Sequence, residues 1–224
     1  MRAIQVLIIL ICFLCNMLDG MDVLIISYTA PAIAKAWSIS PANLGIVFSS
    51  GLVGMTVGAI FLAPLADRFG RKPLMILAAL IMGSCIYLTS FATDITELMI
   101  YRFISGLGIG TMMASTAAIT AEYAPVSTRD FWVSTVVAGY PVGAVLTGIS
   151  SAKIIAESGW EHLFKLAGIA TFLIVPILLF LLKESDEFKA KAKPEDAKLS
   201  ALFTAEYKWS TWQLWSALFL SFTT

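Results

Sequence analysis

The sequence predicts an all-α membrane protein: a bundle of six transmembrane helices followed by a truncated seventh. Composition is the first observation behind this. Of 224 residues, 58% are hydrophobic and 13% are Asp, Glu, Lys or Arg, about half the ~25% charge content of soluble domains. The second is spacing. Runs free of charge and of His include Ala36–Ala66, Pro73–Thr93, Phe103–Ala121, Phe131–Ala152 and Leu166–Leu182, and a helix needs roughly 20 apolar residues to cross a hydrocarbon core. The third is balance. Fifteen basic and fifteen acidic residues sum to zero, which leaves no electrostatic footprint for nucleic acid and no resemblance to a disordered, highly charged chain.

Span one is read near 3–29. Ala3–Leu18 is free of charge, Asp19-Gly20-Met21-Asp22 interrupts it, and Val23–Ala34 resumes it. The run is too long for a signal peptide, and no convincing small-residue cleavage site follows. Spans two to six fall near 43–66, 73–92, 95–122, 131–155 and 161–182, so residues 1–182 form one six-span unit. Residues 183–208 mix both signs of charge around Pro194 and read as a cytoplasmic linker. Residues 209–224 open a seventh apolar run that stops after 16 residues, too short to cross, so the chain is expected to lack the rest of a longer protein. Six spans, a charged linker and a new span is the organisation of one repeat joined to another.

Helical spacing of Gly marks packing faces: Gly54-x-x-x-Gly58, Gly106-x-Gly108-x-Gly110 and Gly139-x-x-x-Gly143. In lipid, helices associate by close backbone approach, which small residues permit. Cys12-x-x-Cys15 has redox or metal spacing, yet it lies in an apolar helix without other ligands and reads as packing. His162, the only histidine, falls at a span boundary. No metal cluster or nucleophile triad is recognisable, so neither catalytic residues, a metal nor a cofactor is expected.

Loop charge sets the topology. Eleven Lys and Arg fall on the side of the N-terminus and of residues 183–208, against three (Lys35, Lys153 and Lys165) on the other. The excess places the N-terminus and the linker in the cytoplasm of a multi-pass plasma-membrane protein.

Ionisable residues inside the spans are the functional candidates. A charge at the bilayer centre costs about 2.5–3.5 kcal/mol on insertion scales and usually marks a pathway. Asp19 and Asp22 share a helix face, and two neighbouring carboxylates in a low dielectric are costly to keep ionised together. The pair is therefore a candidate proton carrier. Gly20 between them would loosen the helix and let backbone groups approach a ligand. Arg102 lies about 10 Å below the outer end of span four, and Asp22 about 13 Å below that of span one. Acid pair and Arg thus share one level, and guanidinium is suited to an organic carboxylate; a structural ion pair is the alternative. Glu122, about 30 Å further along span four, meets the basic loop between spans two and three as a cytoplasmic latch.

Asp67-Arg68-Phe69-Gly70-Arg71-Lys72 resembles the Asp-Arg-x-Gly-Arg-Lys signature of the major facilitator superfamily, at its expected place. Arg102 followed by Gly106, Gly108 and Gly110, and Glu122-x-x-Pro125-x-x-x-Arg129, resemble the same superfamily's fourth span and following turn. Asp19-Gly20-Met21-Asp22 is similar to the Asp-Gly-x-Asp signature of its aromatic acid:proton symporters, bacterial inner-membrane carriers. The resemblance covers the N-terminal half of such a carrier. It implies proton coupling and substrate transport at Asp19 and Asp22, with Arg102 facing the substrate carboxylate. It further implies a cytoplasmic gate of Asp67, Arg68, Gly70, Arg71 and Lys72, joined by Glu122 and Arg129, that closes against a C-terminal six-helix half. Pro64 departs from the signature's usual Gly, and Tyr140-Pro141-Val142-Gly143 matches the antiporters' fifth-span pattern only loosely.

The expectation is a secondary transporter that imports a benzoate- or hydroxybenzoate-like anion with protons by alternating access, a monomer when complete. The alternatives are a carrier of a sugar, an aliphatic acid or a drug, and a non-transporting six-helix sensor or assembly subunit.

Overall fold

The computed structural model describes residues 3–184 together with Trp209, Trp212, Gln213 and Ser216, the side chain of Asp67 excepted. The linker read at 183–208 and the seventh span read at 209–224 therefore lie outside the described residues, apart from Lys183, Glu184 and those four. Among the described residues, six helical stretches are long and apolar enough to cross a membrane: Ala3–Trp37, Pro41–Leu65, Arg71–Thr89, Ile95–Tyr123, Val126–Ser158 and Trp160–Leu181. Their main helices are α1 (Ala3–Trp37), α2 (Pro41–Val57), α4 (Arg71–Thr89), α5 (Ile95–Tyr123), α7 (Gly139–Ser158) and α8 (Trp160–Leu181). Shorter pieces extend two of them: α2 passes through a π-helical turn at Gly58–Leu62 and a 3-10 turn at Ala63–Leu65 into α3 (Ala66–Phe69), and α6 (Arg129–Val137) leads into α7.

Local chemistry fixes the helix starts. Ser40 caps α2, accepting from the Asn43 N–H at 3.3 Å, with Pro41 in the first turn. Asp94 caps α5, accepting from the N–H groups of Thr96 and Glu97 at 2.7 and 2.9 Å. Glu97 returns the favour by accepting from the Thr93 N–H at 2.8 Å, so three N–H groups at this helix start are satisfied together. Gly70 separates α3 from α4 at φ 97°, a left-handed conformation that side chains with a Cβ avoid.

The first helix runs eight residues past the predicted limit of span one. Pro31 is held inside it, and the last turn is anchored by Trp37, which packs edge-on against Trp160 of α8 at 5.5 Å. Trp160 in turn meets Phe164 at 5.9 Å, closing an aromatic cluster over one end of the bundle.

The packing has an internal symmetry. Counting the long helices in chain order, the first lies along the fifth (α1 on α7) as the fourth lies along the second (α5 on α2). The third and sixth pair with each other (α4 on α8), and the first and fourth meet at the centre (α1 on α5). Two three-helix units exchanged by a pseudo-two-fold give this pattern, as in carriers built from inverted repeats. The Gly faces serve these contacts as expected. A Cβ on Gly58 or Gly106 of the second–fourth contact would strike the carbonyl oxygen of Leu107 or Gly51 respectively, so the two backbones touch.

Buried apolar side chains run continuously from Ile8, Ile11 and Ile25 of α1 through Met75, Met82 and Ile109 to Phe164 and Leu178. Large apolar side chains such as Leu146, Ile149, Leu173 and Phe180 point outward, the reverse of a water-soluble surface. Cys12, Cys15 and Cys85 are buried free thiols.

Candidate functional site

The middle of α1 carries three polar side chains turned into the protein. Asn16, Asp19 and Asp22 are spaced by three residues and are 1%, 0% and 0% exposed, a spacing that stacks them along one helix face. Arg102, 4% exposed, comes from α5 and donates from Nη1 to Asp22 Oδ1, joining the first and fourth spans in a buried salt bridge. Arg102 passes Gly51 of α2 on the way: a Cβ there would lie 3.7 Å from its guanidinium, an ordinary contact.

Asp19 is placed differently. Neither of its oxygens, nor Oδ2 of Asp22, accepts a hydrogen bond among the described residues. A buried carboxylate without donor or counter-ion is expensive in a membrane interior. The two acids are thus unequal: Asp22 is held by Arg102, and Asp19 stands beside the pair uncompensated. One turn toward the N-terminus, the Asn16 amide donates to Thr116 Oγ1 at 2.8 Å and to the Cys12 carbonyl at 3.1 Å, a second polar tie between α1 and α5.

Gly20 does not loosen α1, which is helical without a break from Ala3 to Trp37. A Cβ at Gly20 would overlap the carbonyl oxygen of Tyr140, and one at Gly143 the carbonyl oxygen of Met17, so α7 lies backbone to backbone against the acidic segment. That approach brings Tyr140 to the site, within electrostatic reach of Asp19, Asp22 and Arg102. Cys85 of α4 is within reach of Asp22 and Arg102. Asn16 and Thr116 were not singled out by the sequence, and Tyr140 only as part of a loosely matched fifth-span motif. Uncharged polar residues in apolar spans are common, and only the helix pairing shows which of them converge.

The loop and turn residues assemble a second cluster at the end of the bundle where α4 begins and α5 ends. Arg71 Nη2 lies 2.8 Å from Glu122 Oε1, bridging the start of α4 and the end of α5. Glu184, just beyond α8, caps α4: its Oε1 accepts from the Arg71 N–H at 3.1 Å and its Oε2 from the Lys72 N–H at 3.3 Å. An anion at a helix N-terminus satisfies orphan donors and complements the helix dipole. Gly70 makes room, since a Cβ there would sit 2.6 Å from Glu184 Oε2. Lys72 Nζ donates to the Leu179 carbonyl at 2.7 Å, and the Tyr123 hydroxyl donates to the Glu184 carbonyl at 3.4 Å. Arg68 is exposed and lies over the Phe69 ring at 5.4 Å. Arg129 opens α6 and is partly buried, its Nε without an acceptor among the described residues. The side chain of Asp67 lies outside the described residues. Glu184 was read only as one acid of a mixed-charge linker; its capping role depends on α8 ending beside α4.

Comparison with known proteins fits this architecture. The profile of the Major Facilitator Superfamily matches residues 12–224. The 4-hydroxybenzoate transporter PcaK of Pseudomonas putida is 36% identical over 181 residues, which is 81% of this chain and 40% of that protein. The gallate transporter of Pseudomonas putida is 32% identical over 199 residues, 89% of this chain and 44% of that one. The chain therefore spans less than half the length of these relatives. Among solved structures, the xylose transporter XylE from E. coli in a partially occluded inward-open conformation superposes with a TM-score of 0.73 at 22% identity, covering 98% of this chain and 59% of that one. A bacterial homologue of the human lysosomal transporter Spinster gives 0.76 at 19% identity, covering 91% and 49%. At such identities the likeness concerns the fold alone.

Proposed function

Since the chain belongs to the major facilitator superfamily, as the N-terminal six-helix half of its fold, we propose that it is part of a carrier importing an aromatic carboxylate together with protons. The observation that carries this reading is the buried centre on α1 and α5. Asp22 is paired with Arg102, and Asp19 stands beside them with no donor among the described residues. The relatives named as 4-hydroxybenzoate and gallate transporters support the substrate class.

The chemistry follows from the geometry. Guanidinium holds a carboxylate through parallel hydrogen bonds, and it can exchange one carboxylate partner for another. An incoming organic anion competes with Asp22 for Arg102. If it takes Arg102, Asp22 loses its counter-ion, and two acids in a low-dielectric span call for a proton. Substrate binding and proton uptake are then coupled through one guanidinium. Transport proceeds by rocking of the two halves about this site. The cluster of Arg71, Glu122, Glu184 and Lys72 closes the cytoplasmic side, with Asp67, Arg68, Gly70 and Arg129 contributing to the same gate. The N-terminus faces the cytoplasm, in keeping with the excess of basic residues on its side, and the complete carrier works as a monomer in a bacterial inner membrane.

Uptake of labelled 4-hydroxybenzoate by cells expressing the complete carrier, with unlabelled competitors, tests the substrate class. Benzoate and hydroxybenzoates should displace the label, while sugars, aliphatic acids and uncharged drugs should not. Displacement by a sugar or an aliphatic acid alone would assign the protein to a different solute.

A further inference from the structure

Tyr140 is unusual in being held at the charge centre while its hydroxyl takes no part in holding the fold. Its backbone has no latitude: the Cα, carbonyl carbon and carbonyl oxygen all lie where a Cβ on Gly20 would stand, so Tyr140 is locked against the segment between the two acids. Its ring is half-buried, and its phenol is within electrostatic reach of Asp19, Asp22 and Arg102. Yet the hydroxyl makes no hydrogen bond among the described residues, and it is not one of the fully enclosed polar atoms that lack a partner. Tyr28 supplies the contrast at the same seam. Its hydroxyl donates to the Ala144 carbonyl at 3.2 Å and stitches α1 to α7. A tyrosine placed only to pack these helices would be expected to do the same.

A hydroxyl packed on this seam, within electrostatic reach of three charged groups and bonded to none of them among the described residues, keeps its donor unengaged. The neighbouring chemistry says which kind of acceptor it suits. Arg102 has one arm of its fork on Asp22, and Asp19 and Asp22 are acceptors when ionised. A further donor strengthens the hold on an anion that takes Arg102 from Asp22, and a phenol O–H is one. We infer that Tyr140 is a substrate-contacting residue whose hydroxyl donates to the carboxylate of an organic acid bound at Arg102. The inference rests on the aromatic-acid reading above and names the partner of that carboxylate on the fifth long helix. A phenol donating to a carboxylate is a charge-assisted bond. Because bonds to charged groups contribute about 1.5–3 kcal/mol, its loss is worth roughly tenfold to a hundredfold in affinity.

The test is Tyr140→Phe in the complete carrier, which keeps the ring and removes one oxygen. Initial uptake rates of labelled benzoate and labelled 4-hydroxybenzoate give KM and maximal rate for each, normalised to carrier abundance in the membrane. The expected result is a KM raised at least tenfold for both acids by a similar factor, with maximal rate within twofold of wild type. An unchanged KM overturns the inference, as does a KM rise confined to 4-hydroxybenzoate, which would place the hydroxyl on the ring substituent. A fall in abundance or maximal rate at unchanged KM would make Tyr140 a packing residue and also overturns it. If the wild-type carrier takes up neither acid, the substrate reading itself fails; if it takes up both and Tyr140→Phe matches it, only this assignment fails.

Discussion

Asp19 and Asp22 sit three residues apart on one helix and are equally buried, but the structure gives them different surroundings. Asp22 is tied to Arg102, and Asp19 to nothing among the described residues. Their neutralising substitutions should therefore differ. Asp22→Asn strands the Arg102 charge, and breaking a buried pair from one side costs about 3–5 kcal/mol. Asp19→Asn strands no charge. Thermal melting of the purified carrier should show a marked drop for Asp22→Asn and little change for Asp19→Asn; equal drops would contradict the division. Arg102→Lys keeps the charge and loses the planar fork, so KM for the acid should rise at least tenfold. An unchanged KM would remove Arg102 from the substrate site.

Among the elements, the contact between α1 and α7 determines the shape of the site. Gly20, Gly139 and Gly143 bring the two backbones together, each lacking a Cβ that would strike a carbonyl oxygen of the other helix. Gly20→Ala must push α7 away and carry Tyr140 with it, at about 1–3 kcal/mol of overpacking. Gly45→Ala is the matching control, because a Cβ there meets nothing within 4 Å and alanine is the better helix former. Melting should fall for Gly20→Ala and hold or rise for Gly45→Ala; equal behaviour would contradict the close seam. The spans themselves were legible in the sequence, since crossing a hydrocarbon core requires long apolar runs whatever the tertiary structure. The shared level of Asp22 and Arg102 was legible too, because depth along a helix follows from residue count; their direct pairing stood only as the alternative reading. The role of Gly20 was not legible: a glycine between two acids reads as local flexibility until the helix opposite it is known. The end of α1 was obscured for a similar reason, as the Trp37–Trp160 contact is made across 123 positions of sequence.

For the whole molecule, the inverted arrangement of two three-helix units places the site on the axis that relates them. Asp22 belongs to the first helix of one unit and Arg102 to the first helix of the other. Any relative movement of the units would act on this salt bridge directly, and the Arg71–Glu122 cluster lies at the far end of the same α5. In the proposed mechanism an external anion, a proton and a rocking bundle converge on one guanidinium, a relation that a chain-wide net charge of zero conceals. The central claim is that the acid moves together with a proton. It is tested most directly by adding 4-hydroxybenzoate to a weakly buffered suspension of cells carrying the complete protein and recording external pH, with cells lacking it as baseline. The account predicts a carrier-dependent alkalinisation that accompanies uptake and is abolished by Asp22→Asn. Carrier-dependent uptake with no alkalinisation above baseline, or an undiminished signal in Asp22→Asn, would contradict it.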